Sequence, residues 1–167
     1  VITGFNRQSE ISDISSLDYF QQEALKAVNE KDQCDYGILY YNSGNSGGAR
    51  PKIMMKMDDG THWIIKFRHT YDPYDSGKGE LLYMQTAAEC GINIPRIKLL
   101  DDRYFAIERF DLDTDGQRLH VVTASALLKK NFRNQDLDYT NLLALTGYLT
   151  QDPMQVEQMY RRMVYNI

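Results

Sequence analysis

From Ser43 to Lys52 the chain reads Ser-Gly-Asn-Ser-Gly-Gly-Ala-Arg-Pro-Lys, small residues whose backbone can approach a ligand closely. Such a loop turns several N–H groups toward phosphate oxygens, and Arg50 and Lys52 add charge beside Gly47, Gly48, Ala49 and Pro51. It fits neither G-x-x-x-x-G-K-[ST] nor G-x-G-x-x-G, so on composition alone it is a weak signal and a flexible hairpin loop is the favoured reading. Further along, Trp63-Ile64-Ile65-Lys66-Phe67 is apolar on both faces, as in a central strand, and Lys66 shares its face with Ile64. An ammonium aimed into such a layer either snorkels to water or finds a partner, because an isolated buried charge is costly. Glu80, in the first turn of the next predicted helix, is the candidate partner, and a bridge to it would hold Lys66 toward nucleotide phosphates. The helix dipole alone is another sufficient reason for a glutamate there. The strand Tyr104 to Phe110 leads into the second half of the chain, and if it links two lobes that close on a nucleotide, Glu108 and Phe110 are candidates to meet an adenine edge through the main chain. A plain edge strand is the alternative.

Other chemistries fit less well. Asp111-Leu112-Asp113-Thr114-Asp115-Gly116 matches the opening of a calcium loop, yet the twelfth position, which needs a bidentate Glu, is Val122, and a strand precedes it rather than a helix. His62, His69 and His120 show no helical i, i+4 pairing and no acidic or cysteine partner at ligand spacing. Cys34 and Cys90 form no C-x-x-C unit and read as ordinary reduced thiols of a cytosolic chain. Gly44-Asn45-Ser46-Gly47-Gly48 spells G-x-S-x-G but leads into an expected strand rather than a helix, so it is not read as a hydrolase elbow, and the 12 tyrosines are scattered rather than arranged as a stacking platform.

The elements that must position these residues follow from periodicity and capping. Ser15 with Asp18 suits a helix start, and Leu17, Phe20, Ala24 and Val28 then share one face up to about Asn29. A strand is expected at Tyr36 to Tyr41. A hairpin follows from Lys52 to Met57 and Thr61 to Phe67, turning at Asp59-Gly60. A helix from Gly79 to Cys90, packing through Leu81, Leu82, Met84, Ala87 and Ala88, is closed by Gly91 and Pro95. Strands at Arg96 to Leu100 and Tyr104 to Phe110 flank an Asp101-Asp102 turn. Beyond Asp111 a strand at Leu119 to Val122 and helices at Ser125 to Lys130, Leu137 to Tyr148 and Pro153 onward are expected. The last carries an apolar stripe of Val156, Met159, Tyr160, Met163, Val164 and Ile167 and is expected to run to the end. Residues 1–110 thus read as a mostly antiparallel sheet with flanking helices and 111–167 as the first helices of a helical lobe, an α+β chain of two lobes.

Composition bounds the function. With 167 residues, 43% apolar, the chain can bury a core. A net charge of -4 argues against broad attraction to nucleic acid. No apolar run approaches the roughly 20 residues of a membrane span, so no membrane partner is expected and a cytoplasmic location is. The opening Val and the uncapped last helix are expected of a fragment of a longer protein.

Taken in order, Ser46 to Lys52, Trp63 to Phe67, Glu80 to Met84, Gly91-Ile92-Asn93-Ile94-Pro95, and Ile107 to Asp111 followed by Arg118-Leu119-His120 resemble the HipA family, over about residues 36 to 167. The resemblance implies a protein-kinase-like fold, and a serine/threonine kinase that uses ATP and Mg2+ and acts as a toxin paired with a HipB-type antitoxin. It implies that Gly47 to Lys52 cradle the ATP phosphates, that Lys66 contacts the nucleotide and that Glu108 to Phe110 meet adenine. Autophosphorylation of a loop serine is a family habit. Ser43 and Ser46 are available here, but Asn45 stands where some members place the modified residue. The segment resembling N-x-D-D-H-x-K-N that supplies the catalytic Asp, and the magnesium-binding Asp, are expected after Ile167, so no catalytic residue is assigned within the chain. A non-catalytic, kinase-like module that binds a partner through the last helix is the alternative.

Overall fold

The computed structural model describes residues 17–29, 50–113, 115–131 and 137–167. The expected Ser15 cap, the strand at Tyr36 to Tyr41 and the loop residues Ser43 to Ala49 lie outside them. The described chain is α+β, with a four-stranded antiparallel sheet and five helices. It forms two compact units, the described residues through Tyr83 with Pro95–Gln117, and Met84–Ile94 with Arg118–Ile167.

In the first unit the strands are β1 (Lys52–Lys56), β2 (His62–Lys66), β3 (Ile97–Leu100) and β4 (Tyr104–Glu108), in the order β1-β2-β4-β3. Each junction has a turn that fits its residues. The β1–β2 loop closes through Gly60 N–H to Met57 O and Met57 N–H to Thr61 O, both 2.8 Å, with Gly60 at φ +80 taking the left-handed position of a three-residue hairpin loop. The β3–β4 turn uses Asp101 and Asp102 at φ 49 and 54, the mirror-image turn that matches strand twist and that aspartate tolerates better than most residues.

One sheet face is buried. Ile53, Met55, Trp63, Ile65, Phe67 and Ala106 lie under helix α1 (Leu17–Asn29), whose Leu17 and Phe20 complete the core. The expected helix face is confirmed at Leu17, Phe20 and Ala24. β2 is a central strand, but it is fully buried on this face only. His62, Ile64 and Lys66 on the other remain part-exposed, which relaxes the cost of placing Lys66 there.

Helix α2 (Ser76–Glu89) starts before the expected Gly79 because Ser76 N–H bonds Pro73 O at 3.1 Å and Gly79 N–H bonds Asp75 O at 3.1 Å. Its less exposed stripe is Gly77, Glu80, Leu81, Met84 and Ala87, at helical spacing; Leu82, at 65% exposure, and Ala88 fall on the outer side, contrary to expectation. Gly91 closes it at φ +74, as expected.

The second unit contains α3 (Ala124–Leu127), α4 (Tyr139–Thr150) and α5 (Pro153–Tyr165). Thr123, Asp138 and Asp152 cap them by accepting N–H bonds from Ala126, Asn141 and Met154, and Pro153 takes the tolerated first position. Helix α5 ends at Tyr165 with Asn166 as its cap, short of the expected run to Ile167. Its side chains secure the chain after α2: Gln158, Arg161 and Arg162 donate to the carbonyls of Gly91 (2.9 Å), Cys90 (3.0 Å) and Asn93 (2.9 Å). No strand forms at Leu119 to Val122. Those residues lack a ladder partner, and Leu119, Val121 and Val122 are exposed.

Candidate functional site

The part-exposed sheet face brings the predicted residues together in rows set by strand register. Lys52 lies opposite Lys66, and Lys66 opposite Phe105 and then Leu99. The next row is Met54, Ile64, Ile107 and Ile97. Alternation along each strand therefore sets two ammonium groups at the head of an apolar floor. Lys66 Nζ stands 5.2 Å from the centroid of the Phe105 ring and bonds Glu80, one turn into α2.

The expected Lys66 and Glu80 partnership is thus present. With both side chains between a quarter and a third exposed, such a pair contributes at most about 1 kcal/mol to stability. Like charges directly opposite in a sheet repel, and Lys52 carries the mark of it: burial first, then the Lys66 charge, hold its ammonium below the ordinary lysine pKa.

The loop after β2 closes the head of the site. Arg50 bonds Asp72 at 2.9 Å, and Asp72 also accepts the His69 N–H at 2.8 Å. Pro51 supplies its carbonyl to the Phe67 N–H at 2.9 Å, extending the ladder past Lys52. The same cleft is lined by Arg50, Lys66, Arg68, Asp72, Glu80 and Arg103. Asp72 carried no signal in the sequence beyond lying in a polar loop.

At the other end of the sheet the three adenine candidates separate. Glu108 N–H bonds Arg96 O and Arg109 N–H bonds His62 O, each at 2.9 Å, so both donors are spent on the ladder. Phe110, next along, leaves the ladder, and its side chain is 69% exposed. The Glu108 carboxylate bonds Arg96, at 2.6 Å to Nε, which holds its pKa below the usual carboxylate range. Arg109 forks onto Asp111 at 2.9 and 2.7 Å and touches Met54 Sδ at 3.1 Å.

Gly47, Gly48, Ala49, Ser43 and Ser46 lie outside the described residues. The aspartate-rich turn is satisfied by its own backbone: Asp113 Oδ1 accepts the N–H groups of Asp115 (3.0 Å) and Gln117 (2.8 Å). Among the described residues no three His, Cys, Asp or Glu side chains are grouped to hold a metal ion, and none of the helices is long and apolar enough to cross a membrane.

Residues 44–167 match the family model of the HipA-like C-terminal domain. No curated protein and no solved structure matches the chain.

Proposed function

This chain belongs to the HipA-like C-terminal domain family, and on that premise we propose that it supplies the ATP-binding surface of a protein-kinase-like serine/threonine kinase. The observation that carries the reading is the Lys66 and Glu80 pair at the head of an apolar sheet face, with Lys52 alongside. A lysine oriented by a helix-borne carboxylate is what phosphoryl-transfer sites use to hold nucleotide phosphates. In this reading Lys66, Lys52 and Arg50, with Gly47 to Pro51, take the phosphates. The floor of Met54, Ile64 and Ile107 receives the base, and the Phe110 main chain meets its polar edge. Bound ATP would bring Mg2+ on its phosphates; no residue of this chain is assigned to the ion. Phosphorylation of a bacterial protein and of Ser43 or Ser46, toxicity, a HipB-type antitoxin and a cytoplasmic setting belong to the same reading, by family analogy.

The test is calorimetric titration of the chain with Mg-ATP, with and without Lys66→Ala. The substitution is expected to reduce affinity at least tenfold, about 1.4 kcal/mol. Equal affinity in the two proteins would refute the assignment. A second reading, a non-catalytic module that binds a partner, is favoured by the apolar side chains that α4 and α5 leave exposed, among them Tyr148 at 79% and Val164 at 55%. It predicts no ATP binding by either protein.

A further inference from the structure

Helix α1 lies ahead of the matched segment, residues 44–167, yet it holds the strand that delivers Lys66. Gln21 on this helix is 8% exposed, and a buried amide must place both its donor and its acceptor. It places both on one residue. Gln21 Nε2 donates to Arg68 O at 3.1 Å, and Gln21 Oε1 accepts the Arg68 N–H at 3.0 Å, across 47 residues of sequence.

The position of that peptide matters. The β1–β2 ladder makes its last bond at the Phe67 N–H, to Pro51 O, and Arg68, one residue on, turns its N–H and carbonyl to the opposite edge of β2, where the Gln21 amide takes up both, two positions after Lys66. The next donor, the His69 N–H, goes to Asp72. Beside it the Phe67 ring meets Tyr104 edge-on, centroids 5.4 Å apart, and the Tyr104 hydroxyl donates to Asp18, one turn before Gln21 on the same helix. Helix α1 therefore grips the exit of β2 directly, through Gln21, and through the neighbouring strand, through Asp18.

We propose that Gln21 is a positioning residue for Lys66: by fixing the Arg68 peptide it sets the direction in which β2 presents the Lys66 ammonium to Glu80. Its consequence for nucleotide binding rests on the reading given above; its effect on Lys66 does not. The segment ahead of the family-matched region is then a working part of the site rather than a support for the core alone.

The test uses the full chain with its lysines reductively dimethylated with carbon-13, the Lys66 signal being assigned by its loss in Lys66→Arg. Glu80→Gln defines the signal of a lysine without its carboxylate. Gln21→Met is expected to move the Lys66 signal toward that position and to leave Lys78 and Lys98 unmoved. Gln21→Glu, which keeps the acceptor for the Arg68 N–H and loses the donor, is expected to move it less, in the same direction. ATP affinity measured in parallel is expected to fall roughly tenfold in Gln21→Met. A Lys66 signal that stays put in either folded variant, whatever its thermal stability, overturns the positioning role. A displaced signal with unchanged affinity overturns its link to nucleotide binding. A wild-type chain that binds no ATP overturns the nucleotide reading instead, and the Lys66 signal still decides the positioning role.

Discussion

Lys52 and Lys66 face each other across two strands, an arrangement that sheets ordinarily avoid, and it gives the site a pH dependence that can be worked out. Burial and the neighbouring charge hold Lys52 below its ordinary value of 10.5. A bound phosphate favours the protonated lysine, so ATP affinity is expected to be level near neutral pH and to fall as pH rises through the lowered Lys52 pKa. The fold does not fail with it. In that window the unfolded chain binds more protons than the folded one, so this group's contribution to stability rises with pH. Tyr104 works the other way, because burial and its bond to Asp18 raise its phenol pKa, but its contribution is lost only above the ordinary value of 10.0. Calorimetry from neutral pH to about 10 checks this, and Lys52→Arg, whose guanidinium keeps its charge, is expected to flatten the fall. A decline as steep in the arginine variant would acquit Lys52. At this scale Lys66 and Glu80 were legible in the sequence because a charge inside an apolar strand demands a partner. Gln21 was not, because nothing near it in sequence announces the Arg68 peptide that it meets.

Helix α2 shows how an element places a single carboxylate, and its two glycines near Glu80 serve different ends. A Cβ on Gly77 would run into the carbonyl oxygen of Arg103 in the β3–β4 turn, and backbone cannot yield as a side chain can. A Cβ on Gly79 would meet nothing within 4 Å. Gly77→Ala is therefore expected to cost about 3 kcal/mol and to lift the first turns of α2, and Glu80 with them, off the sheet. Gly79→Ala is expected to stabilise by about 1 kcal/mol, through a less free unfolded chain. Thermal melts of the pair decide, and equal shifts would contradict the close approach at Gly77. In the second unit, exposed Gln151 ends α4 at φ 50, where a side chain is strained, so Gln151→Gly is expected to raise the melting temperature by the equivalent of about 1 kcal/mol. The hairpin turn, the close of α2 and the start of α5 were legible because Gly60, Gly91 and Pro153 each carry a local reason, whereas Asp138 was read inside a helix from Leu137 and instead caps one that begins at Tyr139. The strand expected at Leu119 to Val122 was misjudged, since β-forming side chains make a strand only where a ladder partner exists. The outer side of α2 was misjudged for a related reason: Leu82 is apolar, but helical spacing from Gly77 and Ala87 turns it away.

For the whole molecule, burial is uneven. The first unit has a sheet core with Ile53, Ile65 and Ala106 at 0% exposure. None of the residues of α3, α4 or α5 is buried. Helix α4 nevertheless carries Leu142, Leu143, Leu145, Tyr148 and Leu149, and α5 exposes Met154, Tyr160 and Val164. At about 25 cal/mol per Å² of apolar surface, such side chains left in water favour association over isolation. The chain is accordingly expected to self-associate as its concentration rises. Sedimentation velocity over a concentration series reads this directly. Tyr148→Lys and Val164→Glu are each expected to shift the population toward monomer, while Tyr71→Lys, which removes a 90% exposed aromatic from the first unit, is expected to leave it unchanged. Amide exchange supplies the complement: donors in β2 and β4 are expected to exchange slowest and those of α4 and α5 faster, because protection follows burial. A wild-type chain that stays monomeric throughout the series, or association relieved equally by Tyr71→Lys, would mean that the helices of the second unit are not the adhesive surface and that their exposed side chains are tolerated singly, as scattered surface apolar residues are.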